Sequence, residues 1–568
     1  MQIKYLLPIA VLLAGCGNSH NEANSSTASA PLTLSTYIKN LESQNGISYT
    51  KIKNSRGTYV TSMCYTKTKD EHSNIVYNPC YSCHTKGRIP NYFNDTDLQE
   101  AYSFPPELLK NPYTNLFKDR SKRVNEISDE EILSYVRTSN YIDRNGEIIL
   151  AKKLPKEWEG YRPDCYFNFD KEGFDIDPNG KYTGWRSFRY YPFLGTFWPT
   201  NGSTDDVLIR LDEPFRVDES GKFDKNIYKL NLAIVEALVK QKDIKLEEPI
   251  DENKYGVDLD GNGEFNIANI VSYNVTSYVG KAKNLLEEGK IHLAKGLFPE
   301  NTEFLHSVRY INWNDAAQKI EIAPRMKELR YGKKYKWVTY SEIEKIATAE
   351  FWEMETSPDD QPSIEVFQGD YMHGLKNGTG WVYQAFIEDK QGDLRPQTHE
   401  ELINCMGCHS SLGATTDSAF AFPRKFEGIL KDAVDYGWGH WSQKDLSGVK
   451  ELVVKYKDYG PQYEYSFYLK NNHSGNEFRD NQEVIDKFFN KDGTMKQEMF
   501  KKLHNDISLL LYPSKQRALL LNKAYKALVE EQSFIYGRVP NIKPMKNVFK
   551  EVEAEQPTGI DKPIIRDY

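Results

Sequence analysis

A five-residue pattern that occurs twice constrains this chain more than any other feature. Cys80-Tyr81-Ser82-Cys83-His84 and Cys405-Met406-Gly407-Cys408-His409 both read CxxCH. Each puts two thiols on one turn of backbone and an imidazole directly after the second. At the Cys and His frequencies of this chain, a chance match is expected on the order of 0.002 times, so composition does not explain two. Each motif must fold as a turn that aims three donors at one place. Two CxxC pairs can also close a tetrahedral Cys₄ zinc site, or each pair can form a local disulfide. Neither use needs a His after the second Cys.

The pattern resembles the haem-attachment signature of c-type cytochromes. The resemblance covers the two motifs and little else of the chain. It implies two covalently bound haems c. Cys80 with Cys83, and Cys405 with Cys408, would reach the vinyl groups on one porphyrin edge, and His84 and His409 would turn beneath the plane to ligate iron. In small single-haem cytochromes a Met ligand commonly follows the attachment site at moderate distance. Here no Met lies between Cys80 and Met326, and no His between His84 and His292. For the first haem, Met63 and His72 are the upstream options for a sixth ligand. His306 is the distant option, on a stretch that alternates as a strand does. For the second, His440 is favoured, held between Trp438 and Trp441, over Met495 and Met499. The first haem is therefore expected to be the more open one.

The N-terminus fits an exported chain. Lys4 precedes a short apolar run too brief to remain as a membrane span. The run ends Leu13-Ala14-Gly15-Cys16, which resembles the lipobox of bacterial lipoproteins and implies acylation of Cys16. Export also argues against zinc, because haem is attached on the oxidising side of the membrane. Gly17 in place of Asp leans towards the outer membrane, with the periplasmic face of the inner membrane as the alternative. No later run is long enough for a membrane helix, and a net charge of −8 without a basic stripe excludes nucleic acid as a partner. The remaining pair, Cys64 and Cys165, is read as a disulfide, as is usual in an oxidising compartment, with two free buried thiols as the alternative.

The organisation expected is a signal peptide over 1–15 and a polar tether over 16–35. An N-terminal haem region over 36–200 and a mixed middle region over 201–395 follow. A C-terminal haem region over 396–550 and a poorly packed tail over 551–568 complete the chain. Capping patterns predict helices after Ser128, Ser341, Thr398 and Ser514, and a further helix over 227–240. Strands are expected over Trp381–Ile387, after the Asn377-Gly378 turn, and over Tyr463–Tyr468. The class is α+β, with helices and short antiparallel strands around the haems in two lobes. Asp258, Asp260 and Asn262 alternate with Gly261 and Gly263 and resemble a calcium loop, although position twelve is Asn269 rather than Glu; an acidic turn with no ion is the alternative.

Three functions fit these features. The first is electron transfer between redox partner proteins by a lipid-anchored di-haem cytochrome. The second is a haem-dependent oxidoreductase, peroxidase-like or otherwise, that reduces a small-molecule oxidant at an open haem. The third is a haem sensor or scaffold.

Overall fold

The computed structural model describes residues 33–51, 60–356, 367–410, 412–427 and 437–568. Its centre is a ten-stranded sheet in which every pairing is antiparallel. The strands are β1 (Phe174–Ile176), β2 (Tyr182–Phe188), β3 (Thr204–Asp205), β4 (Val207–Arg210), β5 (Glu303–Asn314), β6 (Lys319–Lys334), β7 (Gln368–Asp370), β8 (Gly374–Lys376), β9 (Trp381–Glu388) and β10 (Leu394–Pro396). The order is β7-β8-β9-β6-β5-β4-β2-β1, with β10 beside β9 and β3 beside β5. The class is α+β, as expected.

The long β5–β6 hairpin forms the middle of the sheet. Side chains alternate across a strand, and here the alternation separates two environments. Leu305 and Leu329 face a core with Trp185, Leu208 and Phe386, all fully buried. Burying each such side chain contributes roughly 1.5–3 kcal/mol. Phe304, His306 and Val308, with Glu328 and Arg330 opposite, line a cavity. His306 and Arg330 are register partners, and the register shifts next to Arg309 bend the pair just beyond them.

Most predicted helices are present. Asp129–Arg137 is capped by Ser128, and Lys515–Glu531 by Ser514. Lys225–Lys240 is capped by Asp224, whose carboxylate accepts from Asn226 and Ile227. Tyr340–Thr356 has its polar cap two residues earlier than expected: Thr339 and Glu342 cap each other, not Ser341 and Glu344. The helix His399–His409 has the full Thr398–Glu401 capping box and runs through the second motif. Tyr463–Tyr468 corrects the strand reading. Glu464–Asn472 is a helix, and residues 464–469 are buried on every side, so period-two alternation carried no information there.

The expected regional boundaries do not divide the fold. β1 and β2 fall within 36–200, yet they complete the same sheet as β4–β10 from 201–395. The tail is packed rather than loose. Gln556–Pro557 pairs with Ala101–Tyr102, and Val552, Ile560 and Ile564 are buried. The Ile564 amide donates to Gln99 Oε1 at 2.9 Å, while Gln99 Nε2 donates to the carbonyl of His84 at 2.6 Å. The C-terminus thus clasps the first motif. Among the described residues, no helix is long and apolar enough to cross a membrane. Cys16 lies outside them.

Candidate functional site

The two motifs are built differently. Cys80–Ser82 forms a 3₁₀ turn, in which the amides of Cys83 and His84 both donate to the Cys80 carbonyl, at 3.1 and 2.9 Å. The second motif is the last part of the α-helix His399–His409. Both histidines are nevertheless held in the same way. His84 Nδ1 lies 3.2 Å from Asp95 Oδ2, and His409 Nδ1 lies 2.9 Å from the carbonyl of Ser418. An acceptor at Nδ1 fixes the ring and turns Nε2 outward as the free donor atom, the usual arrangement of a metal-ligating imidazole.

Each acceptor is itself braced. The other oxygen of Asp95 accepts from the Thr85 amide at 2.9 Å. Ser418 and Asp417 sit at positive φ, 56° and 49°. For residues other than glycine this backbone costs energy, and surrounding contacts must hold it. Here Lys334 Nζ and Asp417 Oδ1 form a fully buried ion pair at 2.6 Å. Asp417 also accepts from the Phe298 amide, and the Ser418 hydroxyl donates to the Ser410 carbonyl at 2.7 Å.

Residues 321 to 331 apart in sequence meet at this site. The Asn91 side chain donates to the carbonyls of Leu412 and Thr415, at 2.8 and 2.9 Å. The Ala414 amide donates to the Cys83 carbonyl at 3.3 Å. Cys83, Cys405, Cys408 and His409 line one cavity of about 1220 Å³. That exceeds the ~300–1,000 Å³ of an ordinary small-molecule pocket. Phe193, Phe304, Phe420 and Phe478 give it apolar walls.

The cavity also carries buried charge. Among the described residues, neither Nη of Arg479 and not Oε2 of Glu477 has a hydrogen-bond partner, although the Arg479 guanidinium stands 4.7 Å from the Tyr77 ring. Burial raises Glu477 to about 8 and lowers Lys327 to about 7. Asp205 rises to about 8, through burial and the neighbouring Asp206. His306 Nε2 lies 3.4 Å from Asp205 Oδ2, and burial with nearby Arg330 lowers the ring to about 4. Burial likewise lowers His409 to about 4. His84 goes the other way. Burial opposes its charge, but Asp95 and the thiol of Cys64 hold it at about 10.

Several expected residues are elsewhere. His440 does not line the cavity. Its Nε2 lies 3.1 Å from Asp206 Oδ2 and its Nδ1 2.8 Å from the Ser442 hydroxyl, and its ring stacks on Phe169 at 4.7 Å. With both nitrogens engaged, it is not placed as an axial ligand. His306 does reach the cavity, but on the side of His409 rather than of His84. Met63 lines the cavity as well, whereas His72 is exposed. Cys64 and Cys165 are not paired. Cys165 is buried in the core with Trp185 and Leu305, whereas Cys64 packs with Tyr65 and Tyr113. Sequence reasoning missed Asp95, Ser418 and Arg479, which carry no motif.

The candidate calcium loop joins the ribbon Ile244–Asp251 to Ile267–Val271. Carboxylate oxygens of Glu252, Asp258 and Asp260 lie within 4.8 Å of one another. Glu252 is the member that sequence reasoning missed, and Asn262 instead donates to Asp260 at 3.0 Å. An all-oxygen set of this kind suits a hard divalent cation.

Fold and site together define an α+β protein in which Cys83 of the first CxxCH motif and Cys405, Cys408 and His409 of the second line one cavity. Comparison with known proteins gives its family. A family model described as a "-like lipoprotein" matches residues 49–506. An "Uncharacterized lipoprotein" of Aquifex aeolicus (strain VF5) is 32% identical over 536 residues, covering 85% of this chain and 86% of that protein. The chain belongs to this lipoprotein family. No solved structure matches it.

Proposed function

We propose that this protein is a di-haem c-type cytochrome, lipid-anchored at Cys16 in the cell envelope, that passes electrons between redox partner proteins. One haem would sit on Cys80, Cys83 and His84, the other on Cys405, Cys408 and His409. The observation that carries this reading is convergence. Cys83 of the first motif lines one cavity with Cys405, Cys408 and His409 of the second, and each histidine has its Nδ1 held by an acceptor.

The residues present fit the group. The cavity exceeds a single ligand site, and its aromatic walls suit a flat apolar macrocycle. Arg479, buried and without a hydrogen-bond partner among the described residues, suits a propionate, since guanidinium and carboxylate form strong charge-assisted bonds. A closed Cys₄ zinc site would leave a cavity of this size without a role. Bound haem supplies a one-electron couple. The chain's own part is to orient both imidazoles, exclude water and keep the two sites adjacent.

The test is a pyridine haemochrome assay with metal analysis on the purified protein. Two covalent haems per chain and no stoichiometric zinc are expected. One haem or none, or zinc in place of iron, overturns the reading. A second reading, a haem-dependent oxidoreductase for a small oxidant, draws support from Asp205 and Lys327 in the same cavity. These groups can exchange protons near neutral pH. Carbon monoxide binding to the reduced protein separates the two, because a carrier with two closed haems does not respond.

A further inference from the structure

Resting on the haem assignment and on the oxidoreductase reading above, we propose that His306 and Arg330 form the substrate site of the second haem, and that the substrate is a hydroperoxide. The central sheet builds this site. His306 on β5 and Arg330 on β6 are register partners, and side chains directly opposite on one face of an antiparallel pair have Cβ atoms about 5 Å apart. Both line the cavity that Cys405, Cys408 and His409 line. The His409 ring lies 4.7 Å from the Tyr383 ring. Tyr383 on β9 pairs with Gly332, and Gly332 with Phe304. His306 and Arg330 form the next row on that face, two residues along their strands, a step of about 7 Å. The second motif's imidazole and the His306–Arg330 pair thus meet successive rows of one cavity wall.

Each side chain is held from behind and open in front. His306 Nε2 lies 3.4 Å from Oδ2 of the buried Asp205, and its Nδ1 makes no hydrogen bond among the described residues. Arg330 Nε donates to Glu328 Oε2 at 2.9 Å, and neither of its Nη atoms has a hydrogen-bond partner among the described residues. The two side chains keep 23% and 35% of their surface accessible, and they stand on the middle strands of the sheet, so this surface opens on the cavity. The pair is a base beside a cation. Burial with nearby Arg330 keeps the imidazole neutral, so it can accept a proton. His306 takes the proton from one oxygen of the hydroperoxide and returns it to the other as the O–O bond breaks. The free fork of Arg330 stabilises the negative charge that builds on the leaving oxygen. One hydroperoxide, two electrons and two protons give one alcohol (water, from hydrogen peroxide) and one water. The electrons come one from each ferrous haem, refilled by a reduced redox protein, and the protons come from solvent. The open site then belongs to the second motif, not to the first.

The experiment uses the full-length protein with His306→Leu, His306→Gln, Arg330→Leu and Arg330→Lys variants, and cyanide, fluoride and hydrogen peroxide as probes. Magnetic resonance of the unmodified ferric protein should show one high-spin haem, and cyanide should bind that haem alone. His306→Leu should leave the resting spectrum unchanged and slow cyanide association on the order of 100-fold, because hydrogen cyanide must lose its proton to bind. Arg330→Leu should weaken fluoride binding and slow single-turnover reduction of hydrogen peroxide by the reduced protein on the order of 100-fold, with Arg330→Lys recovering part of the loss. If the leucine variants mature poorly, His306→Gln and Arg330→Lys carry the same test with smaller losses. A new high-spin signal in a His306 variant would make His306 an axial ligand and overturn the proposal. Cyanide and peroxide kinetics that ignore all four variants also overturn it, as does a reduced protein that consumes nitrite but not peroxide. Two haems of which neither binds cyanide overturn the oxidoreductase reading and this proposal with it. Fewer than two haems overturn the haem assignment itself, a distinguishable failure.

Discussion

His440 and Asp206 show how a single buried pair changes a residue's meaning. Glycines and indoles around His440 made it look like a ring free to approach a cofactor. Asp206 takes one nitrogen, Ser442 the other, and the imidazole becomes a brace. His440→Ala should therefore leave both haem spectra unchanged and lower stability by about 2 kcal/mol, since it leaves a buried carboxylate short of a hydrogen-bond partner. Thermal unfolding followed beside the visible spectrum checks both halves. Loss of a low-spin signal would restore His440 as a ligand. The same pair predicts a pH dependence. Burial would raise Asp206, but His440, Arg309 and Ser307 outweigh it and hold the group at about 2. An unfolded Asp titrates near ~3.9. The stabilisation is thus present above about pH 4 and is lost as pH falls from there towards about 2. In Asp206→Asn, acid unfolding should lose its component in that window.

At the scale of elements, the segment after the second motif is what joins the two sites. Residues 412–415 lie on the loop that follows the first, and the fit leaves no room for a side chain. A Cβ on Gly413 would stand 1.7 Å from the Thr85 carbonyl oxygen and 2.8 Å from Asp95 Oδ1. The first of these is backbone and cannot swing away. Gly413→Ala should therefore destabilise by about 3 kcal/mol, the upper range for inserting a methyl group into packed surroundings. It should also loosen Asp95 behind His84. Calorimetry reports the first effect, and a change confined to the first haem's spectrum reports the second. An unaltered transition temperature would mean the loop contact is dispensable. The capping box of the second motif was legible in advance because its partners lie three residues apart. The loop contact was not, because it joins positions hundreds of residues apart.

For the whole molecule, family membership as a lipoprotein agrees with the Cys16 reading, although that residue lies beyond the described part. Cys16→Ser should move the protein from the membrane fraction to the soluble fraction after a salt wash. Retention in the membrane would require another anchor. The sequence by itself determined the two CxxCH motifs, the α+β class and most helices, since each depends on near neighbours: spacing within a turn, a cap three residues away, a turn before a strand. It misjudged the regional boundaries and the tail, because one sheet gathers strands from 174 to 396 and Gln99 ties the C-terminus to His84. Only the tertiary structure decided that Cys83 shares a cavity with the second motif, that Asp95 and the Ser418 carbonyl orient the two histidines and that His440 is engaged elsewhere. Those outcomes depend on contacts between distant segments, and local spacing holds no record of which distant donor will stand across from which acceptor.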